Sequence, residues 1–228
     1  MVEPIRDRVV FCDFDGTITT VDTFVEVTEK FVPPAVMKAL LPRIYARELT
    51  LKEGVKAILE AIPAIHYADI LKLSLDMSIR PGLSALLDFL DAQDVPLVVI
   101  SSGIRGVVET VLSHQPTSEQ PLIERVLSVN AADVVPGEKF LAVSCPWESA
   151  SAMMDKVKVM QHYPAREQVA IGDGITDVEM ALHADWVFAR DRLVGYLQAE
   201  LQPFESWETF FDVRDALAVR WQASPAKN

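Results

Sequence analysis

The chain has 228 residues, half of them apolar, and a formal net charge of −12 from 33 acidic and 21 basic residues. That is enough apolar material for one sizeable core with an insert, and an acidic excess without any Lys/Arg run excludes a nucleic-acid-binding surface. No apolar run approaches the ~18–20 residues that span a bilayer, the start does not read as a signal peptide, and Cys12 and Cys145 have neither a metal-type spacing nor a disulfide framework. The expectation is a cytoplasmic protein with reduced thiols and no membrane partner.

The first predicted element is a strand, "RVVFC", which runs directly into two carboxylates, Asp13 and Asp15, and then Gly16 and Thr17. From about residue 21 to 79 the pattern becomes helical, in "FVEVTEKFV", "AVMKALLPRIYARE", "LKEGVKAILEAI" and "YADILKLSLDM", with breaks at Pro33-Pro34 and at Pro63. Thr50 and Glu53 have the spacing of a capping box at the start of the third helix. "RPG" (Arg80 to Gly82) marks the return, followed by a helix in "GLSALLDFLDAQD" and a strand in "VPLVVI" that ends before Ser101. A helix in "VVETVLSH" precedes "RVLSVNAADVVPGEKFLAV", which reads as two or three short strands with a Pro-Gly turn, a hairpin appended to the core. "EQVAI", "TDVEMALHA" and "DWVFA" continue as strand, helix and strand, and "SPAKN" at the C-terminus is expected to fray.

Short Val/Ile/Phe runs alternating with helices predict an α/β fold, a doubly wound (Rossmann-like) parallel sheet core formed by residues 1–20 and 80–228 with an inserted helical cap at 21–79. In such sheets the ligand crevice lies beyond the carboxyl ends of the strands, so the four polar clusters that follow the strands share one edge. A second acidic pair, Asp173 and Asp177 in "GDGITD", follows the strand ending at Ile171. Carboxylates converging there require a cation, and hard oxygen ligands suit Mg²⁺. One Asp can then attack phosphorus and another can move the proton of the leaving alcohol. Ser101 and a lysine, Lys156 or Lys158, can offset phosphoryl charge, and Gly16, Ser102 and Gly103 let backbone N–H groups approach phosphate oxygens. The four histidines, Met153, Met154 and Met160 read as packing or surface residues, and Cys12 as core.

"DFDGT", "VVISSG", a lysine and "GDGITD", in that order at strand ends, resemble the four motifs of the haloacid dehalogenase superfamily of phosphohydrolases. The helical insert looks like the cap of its phosphoserine-phosphatase-like branch. The resemblance implies Asp13 as nucleophile, Asp15 as general acid/base, and Mg²⁺ held by Asp13, the Asp15 main-chain carbonyl and Asp173, with Asp177 in support. It favours Ser101 over Ser102 as the second motif. It favours Lys156 over Lys158 as the third, since Val159 and Met160 follow Lys156 by three and four places. Thr17, Asp22, Ser102 and Gly103 are expected to face the substrate.

"DFDGTITTVDTF", "LTLKEGV", "IRPG" and "VFARDRL" further resemble the methionine-salvage phosphatases, although Ser113 to Asp155 matches poorly. That implies a small phosphorylated metabolite, a hydroxy-keto-methylthiopentenyl phosphate. Phosphoserine phosphatases carry Glu where Asp22 stands and Arg where Gly54 aligns, so a free amino acid fits poorly. Phe24, Val25 and Ile58 are candidates either for a methylthio pocket or for ordinary cap core. A phosphatase for phosphoserine, phosphocholine or phosphoethanolamine, and a non-catalytic binding module, stand as alternatives. Oligomeric state is left open.

Overall fold

The computed structural model describes residues 5–46, 48–114 and 120–223. The predicted fraying of "SPAKN" falls outside them. Strand β1 (Arg6–Asp13) is fully buried from Val9 onward, as a strand covered on both faces must be. It pairs in parallel with β2 (Leu97–Ile104) on one side and β5 (Ala165–Gly172) on the other, and β5 continues in parallel to β6 (Trp186–Ala189). A two-residue strand, β7 (Glu205–Ser206), closes that edge. The hairpin is present as β3 (Ser128–Pro136) and β4 (Leu141–Ser144), but it is not an appendage. β3 lies parallel to β2, so the hairpin extends the main sheet, and only β4 runs antiparallel.

The sheet order is β4-β3-β2-β1-β5-β6-β7, so the winding reverses at β1. This is the switch point where doubly wound sheets open a crevice. Register does the rest. Asp13 stands opposite Ile100, one residue before Ser101, and Cys12 stands opposite Ile171, two residues before Asp173. Around the sheet lie α5 (Leu83–Ala92), α6 (Arg105–Ser113), α7 (Lys156–His162), α8 (Val178–His183), α9 (Asp191–Ala199) and α10 (Phe210–Ala223). From the sequence no helical segment is assigned to α7, α9 or α10, and α10 is anchored by Trp221 stacking on Phe89 of α5 at 5.6 Å.

Between β1 and α5 the described residues form four α-helices, α1 (Thr23–Phe31), α2 (Pro34–Tyr45), α3 (Leu51–Leu59) and α4 (Tyr67–Ser74). The Thr50–Glu53 capping box is formed in both directions. The insert leaves and re-enters through a neck, where Thr19 bridges Ile79, Thr20 N–H donates to Ser78 O (3.0 Å) and Arg80 N–H to Ile18 O (2.8 Å). A second attachment ties it to the hairpin and the loop beyond. Leu141 N–H donates to Ile62 O and Ala64 N–H to Lys139 O, both at 2.9 Å, and Lys52 N–H donates to Ser151 O (3.2 Å). Gly54 packs α3 against α2 so closely that a Cβ there would lie 2.4 Å from Ile44 Cδ1. Of the three cap candidates for an apolar pocket, Ile58 is core, Phe24 is partly buried and Val25 is exposed.

Candidate active site

β1 ends on Asp13, and the chain then makes a single wide turn over Phe14–Ile18, closed by Thr19 N–H donating to Phe14 O (3.0 Å). Gly16 takes φ +78° there, and a Cβ would stand 2.5 Å from Asp173 Oδ2, so backbone freedom and close approach both require glycine. The turn brings Asp15 back to the same edge as Asp13. Asp13 is 3% exposed. Its carboxylate accepts a hydrogen bond from Lys156 Nζ, and the same ammonium donates to Asp177 Oδ1 at 2.6 Å. Lys158, two residues on, is exposed and bonds Glu148 O instead, so the geometry selects Lys156. Val159 and Met160 bury the α7 face that carries it.

Asp177 is fully committed: its second oxygen accepts the N–H groups of Asp173 and Gly174, each at 3.0 Å. Asp173 in turn accepts from Thr17 Oγ1 at 3.0 Å. Oxygens of Asp13, Asp173 and Asp177 lie within 4.8 Å of one another. Asp15 stands apart from this trio. Its two oxygens accept hydroxyl bonds, one from Ser101 at 2.7 Å and one from Thr23, the first residue of α1.

Four carboxylates therefore surround a single ammonium. Burial first, and then the charge of Asp177, push Asp13 well above the ordinary carboxylate range, with Lys156 opposing. The same two causes raise Asp173 to about 6. Burial raises Asp15 against the Thr23 and Ser101 bonds, and Lys156 is raised by Asp13 and Asp177 despite its own burial. An excess of desolvated negative charge on hard oxygen donors is the environment a small divalent cation relieves, so the donor set fits Mg²⁺.

The remaining expected residues divide. Ser102 is half-buried next to Ser101. Gly103 N–H donates to Ser101 Oγ (2.9 Å), and Gly16 N–H donates to Thr19 Oγ1 (3.2 Å) and Val21 O (3.1 Å). Those two amides are bonded within the chain. Asp22 caps α1 through Val25 N–H at 3.1 Å, the role its position before a helix favours. Two residues are not among the expected site components: Thr23 and Arg80, which the sequence shows only as members of the stretches "DFDGTITTVDTF" and "IRPG".

The family model for haloacid dehalogenase-like hydrolases matches residues 10–182. The chain belongs to the haloacid dehalogenase-like hydrolases. It is 43% identical over 213 residues to a curated 2-hydroxy-3-keto-5-methylthiopentenyl-1-phosphate phosphatase from Microcystis aeruginosa, covering 93% of this chain and 99% of that protein. A protein of the same name from Brevibacillus brevis is 30% identical, covering 91% and 94%. Among solved structures, a phosphoserine phosphatase from T. onnurineus in complex with NDSB-201 superposes with TM-score 0.66 at 17% identity, covering 94% of this chain and 96% of that one. A substrate-bound phosphoserine phosphatase complex gives 0.61 at 15% identity, covering 94% and 99%. At those identities the likeness is one of fold. This hydrolase shares the winding of those structures, and no helix among its described residues is long and apolar enough to cross a membrane.

Proposed function

We propose that this hydrolase is a Mg²⁺-dependent phosphomonoesterase acting through an aspartyl-phosphate, and that its substrate is 2-hydroxy-3-keto-5-methylthiopentenyl-1-phosphate. The observation that carries the chemistry is the buried contact of Asp13 with Lys156 beside two further carboxylates. The substrate rests on relatives of that name matched over nearly their whole length.

An Asp13 oxygen attacks phosphorus, and the bond to the leaving oxygen breaks as Asp15 gives that oxygen a proton. Water then attacks the phosphoryl group, Asp15 takes its proton, and Asp13 is regenerated with release of phosphate. Asp15 is suited to both steps because burial favours its protonated form, while two hydroxyls hold its orientation. Lys156 fixes Asp13 and counters phosphoryl charge, and Ser101 must turn from Asp15 if it is to meet a phosphate oxygen. When bound, Mg²⁺ would be held by Asp13, the Asp15 carbonyl and Asp173, and would supply positive charge that offsets the charge of the phosphoryl group. Asp177 orients rather than ligates, since both of its oxygens are in use.

In this reading residues 21–79 are the cap that reads the leaving group. Asp22 is spent on capping α1, and a side chain at Gly54 would have to displace the Ile44 side chain. The cap thus lacks the pair that would grip an amino acid, and a site that leaves a carboxylate unpaired rejects it strongly. The test is kcat/KM with Mg²⁺ on the proposed substrate, phosphoserine, phosphocholine and phosphoethanolamine. A higher value for phosphoserine refutes the substrate, and hydrolysis of none of the four refutes the phosphatase.

A further inference from the structure

The wide turn after β1 directs its carbonyls outward, and they converge on one residue. Arg80, 8% exposed on the returning neck segment, donates its backbone N–H to Ile18 O (2.8 Å), Nε to Thr17 O (2.8 Å), and Nη2 to Gly16 O (2.5 Å) and Thr19 O (3.4 Å). It forms no ion pair among the described residues. A buried guanidinium spent on neutral carbonyls calls for a reason, because its desolvation is expensive.

That reason lies on the other face of the turn. Gly16 abuts Asp173 Oδ2, and Thr17 Oγ1 bonds Asp173 Oδ1, so the segment Arg80 grips is the one that fixes the Asp173 carboxylate. The guanidinium also lies over the Trp207 ring, 5.4 Å from its centroid, and Arg190 lies over the same ring at 5.3 Å. Arg190 N–H donates to Gly172 O (3.3 Å) and Leu193 N–H to Asp173 O (2.8 Å). Asp173 is therefore held by its side chain from the turn and by its main chain from the segment after β6, and the two supports meet at Trp207.

We propose that Arg80 is a positioning residue that sets the Asp173 carboxylate for Mg²⁺ by clamping the carbonyls of Gly16, Thr17 and Thr19. The inference rests on the metal reading above. A lysine keeps the charge but not the fork, so Arg80→Lys separates clamping from electrostatics.

The experiment is calorimetric titration of Mg²⁺ into apo wild type, Arg80→Lys, Arg80→Met and Val213→Ala, with circular dichroism to check the fold. Val213→Ala opens a cavity in the core under α10 and serves as a variant that is destabilised without touching the turn. The expected result is a Mg²⁺ dissociation constant raised about 10–100-fold in both Arg80 variants, the range for residues that orient metal ligands, with Val213→Ala like wild type. If the Arg80 variants melt earlier yet bind Mg²⁺ as wild type does, the clamp is only structural and the proposal falls. If Arg80→Met does not fold, Arg80→Lys alone decides. A wild type that binds no Mg²⁺ refutes the metal reading itself, and the role of Arg80 with it.

Discussion

Lys156 Nζ lies 2.6 Å from Asp177 Oδ1 where water does not reach, the two side chains being 1% and 0% exposed. The ammonium also contacts Asp13, and the other Asp177 oxygen holds the N–H groups of Asp173 and Gly174. One carboxylate thus fixes both the cation beside Asp13 and the loop bearing Asp173. Without Asp177, Lys156 still has Asp13, but the N–H groups of Asp173 and Gly174 lose their acceptor, at about 1–3 kcal/mol for each group left unsatisfied, or at least a few degrees in Tm. Asp177→Ala should show that loss by calorimetry together with a loss of turnover by orders of magnitude. An unchanged Tm would mean that these bonds do not form in solution.

Lys156→Ala and Lys158→Ala are expected to differ sharply. The first removes the only ammonium among the described residues that contacts Asp13, and turnover should fall by orders of magnitude. The second removes an exposed contact with Glu148 O and should leave kcat within about twofold, since exposed contacts contribute little. Steady-state kinetics on the two proteins checks this, and the reverse pattern would place the site lysine two residues later.

Asp13→Asn should fold and have no turnover. Burial and the charge of Asp177 already oppose ionisation of Asp13, so an amide of the same shape relieves repulsion, and Lys156 keeps Asp177 as a partner. Near-normal phosphatase activity in the folded variant would rule out Asp13 as nucleophile.

The raised Asp173 carboxyl makes a prediction about pH. With its folded value at about 6 against an ordinary 3.8, the folded protein binds more protons than the unfolded chain between those limits. The contribution of this group is therefore present in full below about 3.8 and lost as pH rises through about 6, and Asp13 and Asp15 shift in the same direction. Mg²⁺ should offset that loss, so its stabilising effect on Tm should be larger at pH 7.5 than at pH 5. Equal increments at both pH values would count against a metal on Asp173.

Gly54→Arg should destabilise without conferring phosphoserine hydrolysis. Its Cβ would meet Ile44 Cδ1 at 2.4 Å, and overpacking of this kind typically costs about 1–3 kcal/mol. A gain in kcat/KM on phosphoserine, with Tm unchanged, would show that the cap has room there after all.

What could be read from the sequence was what repeats a short-range rule. The strands before Asp13, Ser101, Gly172 and Arg190 stand out as short apolar runs, and the Thr50–Glu53 box closes as its spacing requires. Asp13, Asp173, Asp177 and Lys156 meet because register brings strand ends together. What escaped depends on where segments meet in space. β3 joins the sheet through long-range pairing that a Pro-Gly turn does not announce. Thr23 and Arg80 touch the site only because the neck folds back on the wide turn, and the amides of Gly16 and Gly103 are occupied by neighbouring hydroxyls that no spacing rule places there.

The second attachment of the insert joins main chain to main chain, Leu141 to Ile62, Ala64 to Lys139 and Lys52 to Ser151. Lys52 adds side-chain ties, Nζ donating to Ser149 O (3.0 Å) and pairing with Glu148 (3.0 Å), but the amide–carbonyl bonds depend only on the backbone path. The attachment runs through the hairpin and the loop that leads to α7. Substitutions in the hairpin and the following loop that keep this backbone path should therefore leave the insert seated where it is.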